Sequence, residues 1–332
     1  MNNKLFISAA LLLGLASCKS GSDSSSYDKN SLDSTAIAAI TEDSYKAYVA
    51  KLSSDEFMGR LPFSKGDTIT VNYIQEQYKA LGLDPGNGES YFQEVPMVEI
   101  SSKPVNPTLT FKGKNGDLAA KYLDDYVIGT PQMAENIDVE NTELVFAGFG
   151  IVAPEYKWND YEGLDVKGKT VVVMVSDPGR YDKTLFKADT MTYYGRWIYK
   201  FEEASRQGAA GILLIHETEA ASYGWNVVRS GWTGPRLSLV PENKGANLSK
   251  FQGWVSNETA KKLFQLGGLN ADLMEQAKKP GFKAVPLNVT TSVKLANSFR
   301  ESKSNNVLGM IKGSKRPDET IIYTAHWDHL GI

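Results

Sequence analysis

The segment Lys169-Thr-Val-Val-Val-Met-Val175 is an apolar, β-branched run of strand length, and Ala210-Gly-Ile-Leu-Leu-Ile215 is a second one. Residues 194–207 lie between them and carry large apolar side chains at helical spacing. A strand, a helix and another apolar strand in this order predict a separate α/β module. The apolar residues of the predicted helix include Trp197, Phe201 and Ala204.

Helices are also predicted toward the N-terminus, over residues 35–83. The clearest one follows Gly66, with Thr68 as a residue that can cap its start and Gly82 as a left-handed residue that can end it. Four of its residues recur at spacings of three, four and three, and we expect them to form a core stripe: Val71, Ile74, Tyr78 and Leu81.

The other predicted elements are one more helix and several strands. The helix covers residues 258–266, with Asn257 as its N-cap and Gly267 and Gly268 as its stop. Residues 321–325 are apolar on both faces, which is typical of an interior strand in a sheet covered on both sides. Strands are predicted at 91–98, 108–111, 143–148, 287–295, 306–311 and 320–325.

Composition limits the class of protein. The chain has 332 residues, which is enough for about two domains, and 42% hydrophobic residues, which is enough for an ordinary core. The formal net charge is -3 and no basic block occurs, so nucleic acid is not an expected partner. The single cysteine, Cys18, excludes an intramolecular disulfide.

The first eighteen residues have the order of a bacterial lipoprotein signal. Lys4 precedes an apolar stretch at 5–16 that is too short to span a bilayer, and Leu15-Ala-Ser-Cys18 resembles a lipobox. We expect residues 1–17 to be removed, Cys18 to receive lipid, and residues 18–35 to be a flexible tether. Lys19 follows the cysteine in place of Asp, which favours the outer membrane over the inner one. The alternative is a short buried helix with a chance cysteine.

Polar residues gather where the last predicted strand ends, in Thr324-Ala-His-Trp-Asp-His-Leu-Gly331. In extended backbone His326 and Asp328 project to the same side, so one imidazole nitrogen can bind a metal while the carboxylate accepts a hydrogen bond from the other. The spacing alone fits equally a surface-turn histidine satisfied by a nearby carboxylate. His329 points the other way in a strand and is not a predicted ligand.

This last segment resembles the motif that carries the first metal ligand in the dizinc metallopeptidase family of aminopeptidases Y and S, the bacterial leucyl aminopeptidase-like enzymes. Phe63 departs from the resemblance, because many relatives have a glycine there. Three further segments are similar to the family in the same order along the chain: 52–60 with 64–66, 91–96, and 306–314.

The middle of the chain resembles the protease-associated (PA) domain that many family members insert. The resemblance implies an α/β fold: a phosphorylase/hydrolase-like zinc-exopeptidase sandwich, incomplete here, with an inserted α/β protease-associated domain. The implied parts are the start of the peptidase domain at 36–124, the insert at 125–285 and the start of the metal-binding part at 286–332. The segments of the insert that carry the likeness are 145–150, 160–165, 166–169 and 208–212.

The resemblance implies a zinc aminopeptidase that hydrolyses N-terminal peptide bonds with water activated by two zinc ions, on peptide substrates with a free N-terminus. His326 is then a zinc ligand, and Asp328 orients it. Four further ligands and a general base have no counterpart in residues 1–332, so the chain is expected to be a C-terminally truncated portion that binds zinc weakly and hydrolyses nothing.

Other functions remain open at this stage. The chain could be a non-catalytic receptor or binding ectodomain of the same fold, a zinc glutaminyl cyclase or carboxypeptidase relative, or a surface interaction domain at 125–285. His216 is interpreted as structural, and residues 177–179 as a turn. Three tryptophans either pack in the core or line a binding face, and packing is favoured: Trp225, Trp232 and Trp254.

Overall fold

The computed structural model describes residues 37–270 and 272–332. The predicted signal peptide at 1–17, the lipidation site Cys18 and the tether at 18–35 lie outside the described residues. Within the described part, none of the helices has both the length and the apolar character needed to cross a membrane.

Two helices open the described chain, α1 at Glu42–Leu52 and α2 at Lys65–Ala80. The predicted cap of α2 at Thr68 is wrong, because Ser64 caps the helix one turn earlier by accepting the Asp67 N–H at 3.4 Å. In the opposite direction, the Asp67 carboxylate accepts a hydrogen bond from the Phe63 N–H at 3.1 Å. Polar groups at both ends of this turn therefore set the start of the helix.

The predicted core stripe of α2 holds only in part. Val71 is buried, whereas Leu81 is 65% exposed and lies just beyond the last helical residue. Gly82 has a φ of +72°, as expected for the left-handed residue after a helix. The helix therefore faces the protein with its first two turns.

Most strands form one ten-stranded sheet, in the order β11-β2-β13-β6-β9-β10-β12-β5, with β3 beside β13 and β4 beside β3. Two small sheets pair β1 with β14 and β7 with β8. The strands are β1 Asp84–Pro85, β2 Phe92–Pro104, β3 Thr108–Gly113, β4 Gly116–Lys121, β5 Tyr126–Gly129, β6 Asn136–Phe146, β7 Val152–Ala153, β8 Trp158–Asn159, β9 Thr170–Met174, β10 Gly211–His216, β11 Arg236–Leu239, β12 Phe251–Ser256, β13 Val285–Val307 and β14 Gly309–Met310.

The centre of the large sheet is parallel and is covered by helices on both faces. Strands β6, β9, β10 and β12 pair in parallel. Phe201 of α3 (Trp197–Arg206) packs in one apolar layer, and Phe264 of α6 (Asn257–Leu266) packs in the other. The mixed α/β class predicted from these segments is therefore confirmed. The remaining helices are α4 Thr218–Ala221, α5 Trp225–Gly231 and α7 Leu273–Ala277.

The predicted N-cap of α6 is off by one residue. Ser256 caps this helix, with its hydroxyl oxygen accepting the Thr259 N–H at 3.1 Å. Asn257 is the first helical residue instead. Both residue types favour this position, so sequence preference alone does not separate them.

The strand predicted at 287–295 is longer in the structure, and the one predicted at 306–311 is divided: Asn306 and Val307 end β13, whereas Gly309 and Met310 form β14. β13 runs without interruption from Val285 to Val307, through the polar residues between the two predictions. It pairs with β2 over thirteen residues, from Leu295 opposite Pro104 to Val307 opposite Phe92, and its first half pairs with β6 and β3. Hydrogen bonds to a distant partner extend the strand where an apolar pattern is missing. Thus β13 joins the segments before and after the predicted insert.

The strand predicted at 320–325 is wrong for the described chain. These residues form no strand, and Ile321, Ile322 and Tyr323 are 83%, 74% and 92% exposed. A strand needs a neighbour that accepts its backbone hydrogen bonds, and none of the described strands pairs with this segment. Apolar sequence alone therefore does not place it in the sheet.

Candidate functional site

The segment that carries His326 lies against the turn that follows α1. The His329 N–H donates to the Arg60 carbonyl at 3.0 Å, and the Gly331 N–H donates to the Gly59 carbonyl at 3.0 Å. Residues 59–60 and 327–331, named here the junction, thus bring together two segments more than 260 positions apart. Both segments are among those whose sequences resemble the dizinc metallopeptidase family.

Glycine is required on one side of the junction. Gly59 has a φ of +64°, and a Cβ built on it would lie 2.2 Å from the Gly331 carbonyl oxygen. Such a distance is far inside van der Waals contact. A side chain at position 59 would therefore push residues 329–331 away.

Arg60 fastens the junction from its side chain. Its Nε donates to the Trp327 carbonyl at 2.9 Å, and its Nη1 donates to the Leu52 carbonyl at the end of α1. The indole N–H of Trp327 donates to the Asn305 carbonyl of β13 at 3.0 Å. The segment that directly follows His326 is therefore tied to α1 and to the large sheet.

His326 projects from the junction into solvent, with 81% of its side chain exposed. Its Nδ1 lies 3.0 Å from the Asp328 carbonyl oxygen and 3.3 Å from the Asp328 carboxylate oxygen Oδ1. Both neighbours are acceptors, so they favour the tautomer with its hydrogen on Nδ1, in which the Nε2 lone pair faces solvent. The Asp328 carboxylate thus lies close to this nitrogen, while its orienting role and metal ligation by His326 both stay predictions.

The described residues do not complete a metal site. Nowhere in residues 37–270 and 272–332 do three or more His, Cys, Asp or Glu side chains come together as a possible metal site. Zinc sites in proteins use three or four such ligands. One imidazole nitrogen therefore does not make a zinc site, and no step that uses zinc can be derived from these residues.

His216 and the turn at residues 177–179 have structural roles. His216 ends β10, is buried, and places Nε2 3.0 Å from the Tyr223 carbonyl oxygen. Burial lowers its pKa, which keeps the ring neutral. Residues 177–179 form a tight turn, in which the Asp177 carboxylate accepts the Gly179 N–H at 3.1 Å.

The three tryptophans differ in their surroundings. Trp254 is buried in the sheet, and Trp225 donates its indole N–H to the Leu123 carbonyl at 2.8 Å. Trp232 is half-buried and lies 4.0 Å from the guanidinium carbon of Arg236. The packing interpretation therefore fits Trp225 and Trp254, while Trp232 also lines an open groove.

Two ionic features escaped the sequence reasoning. Lys200 and Asp160 are both fully buried, although they are forty residues apart. Arg236 follows Pro235 in a polar stretch that gives no sign of burial. For Lys200 the sequence does carry a signal, because the residues on either side of it in the helix, Tyr199 and Phe201, both face the core. For Arg236 we find none.

The fold and the junction together define a mixed α/β protein that presents one oriented histidine. No protein-family model and no curated protein matches the sequence. The chain is similar to three solved structures: an aminopeptidase from Aneurinibacillus sp. strain AM-1 (16% identity, 82% of this chain and 51% of that one, TM-score 0.35), a peptidase M28 precursor from Shewanella amazonensis SB2B (16%, 87% and 58%, 0.35), and the zinc aminopeptidase BSAP from Bacillus subtilis (15%, 81% and 46%, 0.29).

The present chain thus spans about half the length of these structures. At such identities and TM-scores the similarity does not establish the family of the chain.

Proposed function

We propose that this chain is part of a zinc-dependent exopeptidase that hydrolyses N-terminal peptide bonds, with His326 as one zinc ligand. The observation that carries the proposal is the junction, which holds His326 exposed with Nδ1 engaged by Asp328 and Nε2 available. A histidine whose other nitrogen is hydrogen-bonded to a carboxylate or a backbone carbonyl is a more basic and better oriented metal ligand.

The described residues have limited roles in this proposal. His326 binds, Asp328 orients the ring, and Arg60 fixes the backbone that directly follows His326. The remaining ligands and the general base would have to be supplied by residues other than those described. Two zinc ions, once bound by a complete set of ligands, supply an activated water for hydrolysis.

Metal titration followed by NMR of the histidine side chains tests this role. Addition of Zn²⁺ to the protein should shift the ring signals of His326, consistent with binding through Nε2, and leave those of the buried His216 unchanged. His326→Ala should abolish the response, and His329→Ala, three positions away in the same segment, serves as the matched control. Asp328→Asn should weaken binding by about 10-fold or more.

A response confined to His329 would contradict the assignment, as would one that survives His326→Ala. Hydrolysis is tested separately with amino-acid p-nitroanilides. The 332-residue chain should show no turnover that a chelator removes, because one imidazole does not hold a catalytic zinc.

A second candidate function is a non-catalytic binding ectodomain of the same fold. It is favoured by the fact that the described residues nowhere bring three metal-binding side chains together. If His326 failed to respond to zinc in a protein that carries the complete metal-binding part, this second function would be preferred.

We further propose that a lipid on Cys18 anchors the protein in the outer membrane, and that residues 125–285 act as a protease-associated-like module. Metabolic labelling with a palmitate analogue, compared between the natural sequence and Cys18→Ser, tests the anchor. Label that persists in Cys18→Ser would refute it.

A further inference from the structure

A groove opens on the face of the large sheet that is covered by α3 and α5, far along the chain from the junction. Its volume is about 570 Å³, which is within the range of sites that bind small molecules. Helices α3 and α5 form two of its walls, β12 forms part of the floor, and β11 closes one side.

Aromatic rings form one continuous wall of this groove. Trp197 lies 5.6 Å from Phe201, and Phe201 lies 6.2 Å from Trp232, both at edge-to-face angles. The rim is apolar as well, because Trp197, Ile198 and Val227 are each 45–49% exposed. A concave lining that is mostly apolar is typical of sites that bind small molecules.

One cation lies within this apolar wall. The guanidinium of Arg236 stacks on the Trp232 ring at 4.0 Å and donates through Nη2 to the Thr130 carbonyl at 3.1 Å. Among the described residues, no carboxylate forms an ion pair with it, and this one carbonyl is its only hydrogen-bond acceptor. Desolvation lowers the pKa of Arg236 to about 10, so its charge is held without a counter-ion.

Glu202, the one acidic residue that lines the groove, is engaged elsewhere. It accepts a hydrogen bond from the Tyr193 hydroxyl at 2.8 Å and lies 3.7 Å from Arg206. The Arg236 fork therefore keeps most of its five N–H donors for a ligand, in a geometry that fits a planar carboxylate.

We propose that this groove binds a carboxylate attached to an apolar body, with the carboxylate on Arg236 and the body against the wall of Trp197, Phe201 and Trp232. Two sources supply this chemistry: the C-terminal apolar residue of a peptide, and a free aromatic or aliphatic acid. The proposal does not depend on zinc or on the proposed peptidase function.

Calorimetry and tryptophan fluorescence in the presence of a chelator test the proposal. The probes are N-acetyl-phenylalanine, its amide, and 3-phenylpropionate. We expect the two acids to bind and the amide to bind at least about tenfold more weakly, because the amide lacks the negative charge that would pair with the Arg236 guanidinium. Tighter binding of N-acetyl-phenylalanine than of 3-phenylpropionate indicates a peptide C-terminus, and the reverse order indicates a free acid.

Variants locate the site. Arg236→Gln should weaken binding of the acids by about tenfold or more and leave the amide unchanged. Arg229→Gln is the matched control, since this arginine lies on α5 but pairs with Asp124 at 3.8 Å, outside the residues that line the groove.

In case Arg236→Gln disturbs folding, Val227→Glu places a carboxylate on the exposed rim and should also weaken binding of the acids. Val105→Glu, on an exposed valine away from the groove, is its control. Equal binding of the acid and the amide, no binding of either acid, or binding insensitive to Val227→Glu would each overturn the proposal.

Discussion

Replacement of Lys200 by Met should stabilise the protein at neutral pH, and the gain should shrink as the pH rises. Lys200 is fully buried on α3, and its ammonium has no hydrogen-bond partner among the described residues. The rings of Phe149 and Tyr199 lie 5.8 and 5.9 Å from its nitrogen. Burial lowers the pKa of Lys200 from 10.5 to about 7, against the opposing attraction of Asp160 and Asp177.

The sign of the pH dependence follows from proton counting. Between the folded and the unfolded pKa of Lys200 the unfolded chain binds more protons, so the free energy of unfolding rises with pH across that window. The slope is at most ~1.4 kcal/mol per pH unit. Met fills a similar volume without the charge, so Lys200→Met lacks this dependence.

Asp160 has to be separated from the lysine. Its carboxylate accepts the Phe149 and Ile151 N–H groups, and burial raises its pKa from 3.8 to about 7. Asp160 therefore lowers the free energy of unfolding as the pH rises from 3.8 to about 7. Above that range Asp160 adds no further pH dependence in the natural protein. In Lys200→Met it loses a cation, its pKa rises further, and the stability of the variant then falls above neutral pH.

Urea denaturation followed by tryptophan fluorescence measures the effect. From about pH 7 to about pH 9, the free energy of unfolding of the natural protein should rise by roughly 2 kcal/mol or more relative to that of Lys200→Met. The double variant Asp160→Asn with Lys200→Met also lacks the shifted titration of Asp160, and the natural protein should still gain stability relative to it from about pH 7 to about pH 9. A stability difference that stays flat across this range would refute the account of Lys200 as a buried, depressed amine.

Three further predictions concern backbone contacts. Gly59→Ala should destabilise the protein and speed amide exchange at Gly331, whereas the control Gly82→Ala, also at positive φ but with no atom within 4 Å, should cost only about 1 kcal/mol and leave that exchange unchanged. Arg60→Met should free residues 326–331, measured as faster exchange of the His329 amide, with little change in overall stability. Gly253→Ala places a Cβ 2.3 Å from the Val127 carbonyl oxygen and should lower the urea midpoint strongly, whereas Gly231→Ala, with open space around it, should not.

The central part of the fold was predictable because local pattern and burial agree there. Residues 171–175 and 210–215 are apolar without interruption, and the structure buries both strands completely as β9 and β10. The continuous strand β13 was not predictable, because its polar middle is held by pairing with β2, nearly two hundred residues away. Local pattern carries no information about such a partner.

The candidate site shows the same division. His326 and Asp328 were recognisable because they are two positions apart, and the structure places their side chains 3.3 Å apart. The cation of the groove was not, since the burial of Arg236 depends on Trp232 and on the Thr130 carbonyl, over a hundred residues earlier in the chain. Lys200 and Asp160 likewise come within electrostatic range of each other only through the packing of α3.

The junction also explains why residues 52–60 end in a glycine and an arginine, Gly59 and Arg60. Among the described residues, no hydrogen bond or ion pair joins their side chains to His326 or Asp328; the hydrogen bonds of the junction are made by two carbonyls and by the guanidinium of Arg60. Gly59 is required by the closeness of the Gly331 carbonyl, and Arg60 is required because one side chain must reach both Leu52 and Trp327. The segment thus acts as a support that fixes the backbone around His326. Its loss should change the position and exchange of that segment rather than the chemistry of the histidine, which depends on Asp328 alone among the described residues.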